Sequence, residues 1–369
     1  MNFTCNRKEL KEKLDLVSKV IPARSPKESL SSILINTEPP DKMSLYGTDI
    51  NMSLNVSFTG CEVDEKVSFL VPAKLLKDII DNLSSDIIGN LDEKLLTITS
   101  GSTTYHLSTQ GLDDYPPPDI DWQRSDNAIS IDFRLFKNSI KTVIPFTDKS
   151  NYRPALSGVL FDLRENELRI VSTDGNRLAV QKVIKNNIKF LNDQFVTNLI
   201  LPTLSLSILA ESESEGDIII RFDDSKVRFD TTDFSIVTSI IDGNFPKYET
   251  VIPNKFVARA TVDKNSLKDS VKRIMPICRG NGGVVSISVR KDKLILGSKS
   301  PTGIVSDEIS AHTDNKEIDI MFDANYINDF LSVGTGPVNI EPSGEESPVK
   351  FTFTNNQEFI HIAMPIGEE

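Results

Sequence analysis

One pattern recurs six times along the 369-residue chain: a short apolar strand followed by an amphipathic helix. The strands are read at Asn2–Cys5, Val67–Val71, Ala128–Asp132, Thr197–Leu201, Phe256–Val262 and Glu317–Phe322. The helices start at Arg7, Ala73, Phe133, Pro202, Asp263 and Asp323, spaced 60 to 69 residues apart. Self-similarity at a near-fixed period is the signature of a chain built from stacked copies of one module.

Helical spacing puts Leu10, Leu14, Val17 and Ile21 on one face, and Leu75, Ile79, Ile80 and Leu83 on another. Pro202 suits a first helical turn, and Asp263 and Asp323 suit N-caps. Each helix is followed by alternating apolar and polar runs broken by polar turns at Glu38–Lys42, Asp92–Lys94, Arg164–Asn166, Asp223–Lys226, Arg290–Lys293 and Ser343–Glu346. Such alternation suits strands with one buried face. Each module is therefore β-α-β-β-β. Two Pro-containing stretches, Gly111–Ile120 and Asp242–Ile252, share a Gly-x-aromatic-Pro pattern and each follows an even-numbered module. They predict an α+β chain of three domains with two modules each, at 1–125, 126–253 and 254–369.

Composition removes other classes. Hydrophobic residues make up 38%, enough for real cores. There is no 18-residue apolar run, which argues against a helical membrane span, and the charged start MNFTCNRKEL lacks a signal-type apolar region. Cys5, Cys61 and Cys278 lie far apart with no CxxC, which points away from a disulfide framework or zinc site and toward a reducing cytoplasm. His106, His312 and His361 form no HxxxH or HExxH, and the Gly280–Gly283 segment lacks a phosphate-loop lysine. No catalytic constellation, metal site or cofactor site is expected.

The net charge of −12 argues against ordinary nucleic-acid binding if the charge is evenly spread. It is not. The first, third and fifth helices carry +2, +3 and +2, leaving −19 on the remainder. Exposed lysines are commonly no more than solvated surface. Their recurrence at equivalent places in three domains predicts one shared basic wall, suited to phosphate backbones rather than base edges.

Four segments carry a family resemblance: Leu156–Val180, Gly243–Pro253, Ser68–Leu76 and the terminal Ala363–Ile366. In this order and spacing the chain resembles the bacterial replicative sliding clamp, the β subunit of DNA polymerase III. The resemblance implies three tandem clamp domains and a non-catalytic, head-to-tail homodimer. It closes a ring around double-stranded DNA regardless of sequence, with helices inside and sheets outside. It also implies that a clamp loader places the ring, and that the replicative polymerase, other polymerases and repair proteins dock through short peptides.

The matching peptide-groove positions are Leu156, Thr173, Gly175, Asn176, Arg177, Leu178, Pro246, Val251, Tyr326, Met364 and Pro365. For DNA, the resemblance points to Arg24 and Arg153, and less directly to Arg279. Charge alone adds Lys137, Lys141, Lys268 and Lys272. The dimer seam maps to Tyr105 and Leu107 on one edge, and Ile274 and Met275 on the other. The chain departs from the family at Asn176, commonly His, at Thr250, commonly Arg, and in its acidic Gly367-Glu368-Glu369 ending. The competing expectation is an open arc of repeats that scaffolds proteins and encircles nothing.

Overall fold

The computed structural model describes residues 1–118, 127–150, 152–191 and 196–367. Among the described residues seven helices run in chain order: α1 (Arg7–Val17), α2 (Ala73–Asn82), α3 (Phe133–Val143), the single turn α4 (Pro154–Ser157), α5 (Thr203–Glu211), α6 (Lys264–Cys278) and α7 (Ala324–Val333). Six of them coincide with the six repeats. The local causes are visible. The Asn6 side chain accepts from the Lys8 and Glu9 N–H groups to start α1, and Asp263 and Asp323 cap α6 and α7 by accepting from Ser266 and Asn325.

Several local readings are corrected. Pro202 ends a strand, and the α5 helix begins at Thr203. The helix of the fifth repeat, read from the sequence as Asp263–Met275, runs as α6 through Pro276 to Cys278. A proline this near the C-terminus removes one backbone donor without ending the final turn. On α2 the inward leucine is Leu76, fully buried, while Leu75 is 47% exposed. Ala73, Leu76, Ile80 and Leu83 share the inner stripe at helical spacing.

Contacts divide the chain into two compact units. The first contains Met1–Phe136 and Ser207–Ile240, the second Lys137–Ile188 and Ile241–Glu369. In the first, a five-stranded sheet has the order Glu62–Val63, Asn2–Cys5, Ile87–Asp92, Leu95–Ser100, Thr103–Ser108. A nine-stranded sheet also lies there, and within it Met52–Thr59 pairs with Phe234–Ser239, Leu54 facing Ile236. The second unit holds a twelve-stranded sheet in which Arg177–Ile184 pairs with Asn356–Ala363, Leu178 facing Ile362. Both sheets run across the sequence boundaries expected near residues 125 and 253. In both, the last strand of the first module of one pair hydrogen-bonds the last strand of the second module of the following pair, a pairing with no local sequence signal.

The six expected turns all fall between paired strands, and Glu93 and Asp292 there adopt positive φ of 48° and 57°. The linker reading needs amendment. Tyr115 is buried, packs edge-on against Tyr46 with ring centroids 6.0 Å apart, and donates to the Ser32 and Tyr46 carbonyls. Tyr248 is likewise buried within a short 3-10 turn, Tyr248–Val251. Each stretch is thus pinned to its sheet by one aromatic ring. Asp119 and Ile120 of the first lie outside the described residues.

Candidate peptide groove in the second unit

The groove begins with one tight turn. Asp174 accepts from the Asn176 and Arg177 N–H groups at 3.0 and 3.1 Å, and the Thr173 hydroxyl donates to the Arg177 carbonyl at 2.6 Å. Gly175 sits at φ +97°, and a Cβ there would lie 2.7 Å from an Arg153 Nη. Only glycine meets both demands. The turn aims Asn176 outward and sends Leu178 inward.

Leu178 joins Leu160, Val171, Val180, Ile200, Tyr248 and Ile362 in one buried cluster. Above it is a cavity of about 370 Å³ lined by Arg153, Leu156, Thr173, Gly175, Asn176, Arg177, Leu178, Pro246, Lys247, Tyr248, Thr250, Val251, Ile362 and Met364. Val251 is 45% and Met364 38% exposed, so apolar side chains form both floor and rim. A concave, mostly apolar site with few polar groups suits hydrophobic anchors of a bound chain. The Tyr248 hydroxyl donates to Asp162 at 2.5 Å, which fixes the floor. Burial first, then that bond, pushes the phenol's pKa up.

Arg177 holds the wall. It is buried, donates to Asp174 at 2.8 Å and Asp329 at 2.6 Å, and lies over the Phe146 and Tyr326 rings at 5.2 and 4.7 Å. Burial opposes its charge, but the bonds to Asp329 and Asp174 more than offset this and push its pKa up. Ringed by acids and aromatics, its guanidinium has a structural task.

Nine of the eleven expected groove residues line the cavity. Tyr326 stands behind Arg177, and Pro365 follows Met364 without lining it. Sequence reading missed Lys247, Tyr248, Thr250 and Ile362 as lining residues. Ile362 had a signal, since it lies two positions before Met364 on the same strand face.

The expected DNA residues separate. Arg153 donates to Asp148 at 3.0 Å and to the Asp174 carbonyl at 2.6 Å, which places it on the groove rim. The bonds from Ser150, then Arg153, hold the Asp148 carboxyl below the usual range. Lys137 is only 7% exposed because it falls one helical turn after buried Phe133 on the inner face of α3. Arg24, Lys141, Lys268, Lys272 and Arg279 are exposed and make no ion pair among the described residues. On α1 and α2, Lys11 and Lys77 are instead tied into a network with Asp15 and Asp81.

For the expected seam, Leu107 and Ile274 bury their side chains within the chain's own cores, at 5% and 0% exposure. Tyr105 and Met275 stay half-buried. No group of three or more His, Cys, Asp or Glu side chains that could hold a metal occurs among the described residues. No helix of the described residues is long and apolar enough to cross a membrane.

A repeated β-rich module carrying an apolar groove defines a clamp-type fold, and comparison with known proteins agrees. The DNA polymerase III beta subunit models match in order: the N-terminal domain over residues 1–120, the central domain over 130–247 and the C-terminal domain over 249–367. The chain belongs to the DNA polymerase III beta subunit family, with three tandem clamp domains. It is 25% identical to the beta sliding clamp of Pseudomonas aeruginosa over 99% of this chain and 100% of that one. With the beta sliding clamp of Staphylococcus aureus it shares 26% identity over 99% of each. Among solved structures, the beta subunit of Thermotoga maritima superposes with a TM-score of 0.89, and the Pseudomonas aeruginosa sliding clamp bound to griselimycin with 0.90. Each is 25% identical and matched over 100% of both chains.

Proposed function

We propose that this chain is a non-catalytic DNA sliding clamp. Two copies close head to tail around duplex DNA, and polymerases and repair proteins dock by short peptides in the groove of the second unit. The observation that carries the reading is that groove: a buried Leu178–Tyr248–Ile362 floor beneath exposed Val251 and Met364, in a chain built of six copies of one module. Three domains near 1–125, 126–253 and 254–369 fit the repeat.

Strand Thr103–Ser108 ends its sheet, no other described strand pairs with its outer edge, and Tyr105 lies on it. A free edge is a template for a second chain, and ring closure would cover it. Tyr105 and Met275 are the seam residues that keep surface for this purpose. Arg24, Lys141, Lys268, Lys272 and Arg279 supply sequence-independent phosphate contacts. Sliding then needs no tight grip, because residence time comes from encirclement and tethering raises the polymerase's effective concentration at the primer end.

The groove is tested by titrating a fluorescent peptide with two adjacent hydrophobic anchors into the intact protein. Saturable binding that Met364→Glu and Val251→Glu each weaken at least tenfold, with native mass unchanged at twice 41.0 kDa, supports the reading. Undiminished binding in both variants refutes the groove, and a stable monomer favours the open-arc scaffold.

A further inference from the structure

Two of the three cysteines stand opposite each other in the first unit. Asn2–Cys5 pairs antiparallel with the edge strand Glu62–Val63, Phe3 facing Val63 and Thr4 facing Glu62. Continuing that register by one residue sets Cys5 against Cys61. The Asp64 N–H donates to the Asn2 carbonyl at 3.2 Å, which marks that pair as hydrogen-bonded. Alternation then makes Cys5–Cys61 a non-hydrogen-bonded pair, where Cα atoms approach to about 4.5 Å and side chains lie closest. A disulfide spans Cα separations of roughly 4.4–6.8 Å. Both residues are free thiols, 2% and 0% exposed, and their sulfurs lie within hydrogen-bond reach.

We propose that Cys5 and Cys61 form a dithiol modification site that a hydroperoxide closes into an intramolecular disulfide, stapling the Glu62–Val63 edge to the strand that leads into α1. The way in is that edge. Glu62–Val63 is two residues long and among the described strands pairs only with Asn2–Cys5, while its outer side is held by two backbone bonds, from the Val63 N–H to the Pro40 carbonyl at 2.9 Å and from the Gly60 N–H to the Asp41 carbonyl at 3.1 Å. Short edge elements open at little cost, so a buried pair becomes intermittently reachable.

The Cys61 thiol is pushed well above its ordinary pKa, first by its hydrogen bond with Cys5 and then by burial. In the closed state the Cys5 thiol donates to the Asn6 carbonyl at 3.7 Å; when the edge opens, Cys5 gives its proton to solvent and is the attacking sulfur. The Cys5 thiolate attacks the terminal peroxide oxygen. The O–O bond breaks, and the departing alkoxide, or hydroxide from hydrogen peroxide, takes a proton. Cys5 is left as a sulfenic acid. The Cys61 sulfur attacks the Cys5 sulfur, the S–S bond forms, the S–O bond breaks, and hydroxide leaves with the Cys61 proton as water. Two thiols lose two electrons and one peroxide gains them. The covalent loop runs from residue 5 to residue 61 and restricts the unfolded chain, which raises stability.

The test exposes the intact reduced protein to hydrogen peroxide, then unfolds and alkylates it for peptide mass mapping. The expected result is one Cys5–Cys61 linked peptide pair, lighter by two hydrogens, with Cys278 alkylated. The melting temperature rises and returns to its starting value with dithiothreitol. In Cys61→Ser, Cys5 is expected to stop at a sulfenic acid captured by dimedone. If that variant does not fold, the wild-type map decides. Alkylation of both Cys5 and Cys61 after oxidation, a disulfide that includes Cys278, or a link with no rise in melting temperature overturns the proposal.

Discussion

The Met364 backbone N–H donates to the Asn176 carbonyl at 2.9 Å, fastening the end of the last strand to the Thr173–Arg177 turn. This bond extends the pairing of Leu178 with Ile362 and brings Met364 over the floor that those two residues make. The groove is therefore a product of sheet register, and its two classes of lining residue should respond differently to substitution.

Floor and rim separate in this way. A charge at Leu178 leaves an unpaired ion in the core, a cost of several kcal/mol that the fold does not survive. Met364→Glu and Val251→Glu place the charge in water, and their melting temperatures should stay within about 1 kcal/mol equivalent of wild type. Thermal denaturation of the three variants checks this.

Arg177 should resist conservative replacement. Removing it strands Asp174 and Asp329 beside aromatic rings, and Arg177→Ala is expected to cost about 3–5 kcal/mol. Arg177→Lys should recover little of that, because an ammonium cannot donate to both carboxylates while lying flat between Phe146 and Tyr326. Urea unfolding of both variants gives the comparison.

The arginine at 153 should behave as a groove residue. Arg153→Ala is expected to weaken peptide binding and leave DNA binding and its salt dependence unchanged. Joint replacement of Lys268 and Lys272 should do the reverse and flatten the slope of log affinity against log salt by about 0.9 per lost phosphate contact. Both are read by titration on duplex DNA over a salt series.

His361 makes the fold acid-sensitive. It is fully buried against Phe146 and Phe330, and burial followed by the nearby Arg177 charge pushes its pKa down to about 3. The unfolded chain binds a proton near pH 6.5, so this contribution is fully present above that pH and is lost as pH falls toward 3. The melting temperature of wild type should drop across that window, and His361→Phe should drop less.

Much of this architecture was legible because helices announce themselves locally. Asp263 and Asp323 sit where caps belong, and the hairpin turns stand out as polar breaks. The groove turn was legible too, since Thr173-Asp174-Gly175 determines its own geometry. What stayed hidden depended on distant partners. Leu75 and Leu76 are adjacent leucines, and only packing decides which turns inward. Lys137 reads as surface until α3 is set against its sheet. Arg153 reads as a free cation until Asp148 and the Asp174 carbonyl are placed beside it. The pairing of Met52–Thr59 with Phe234–Ser239 joins strands far apart in sequence, and no local pattern marks it.

The central claim is encirclement, and topology tests it most directly. The protein is loaded onto nicked circular duplex DNA with a clamp loader and ATP, washed at high salt, and the DNA is then cut once. The account predicts retention on intact circles through the wash and rapid release after linearisation, with Lys268 and Lys272 replaced or not. Equal loss from circles and linear DNA, or retention on free-ended DNA after cutting, would contradict it.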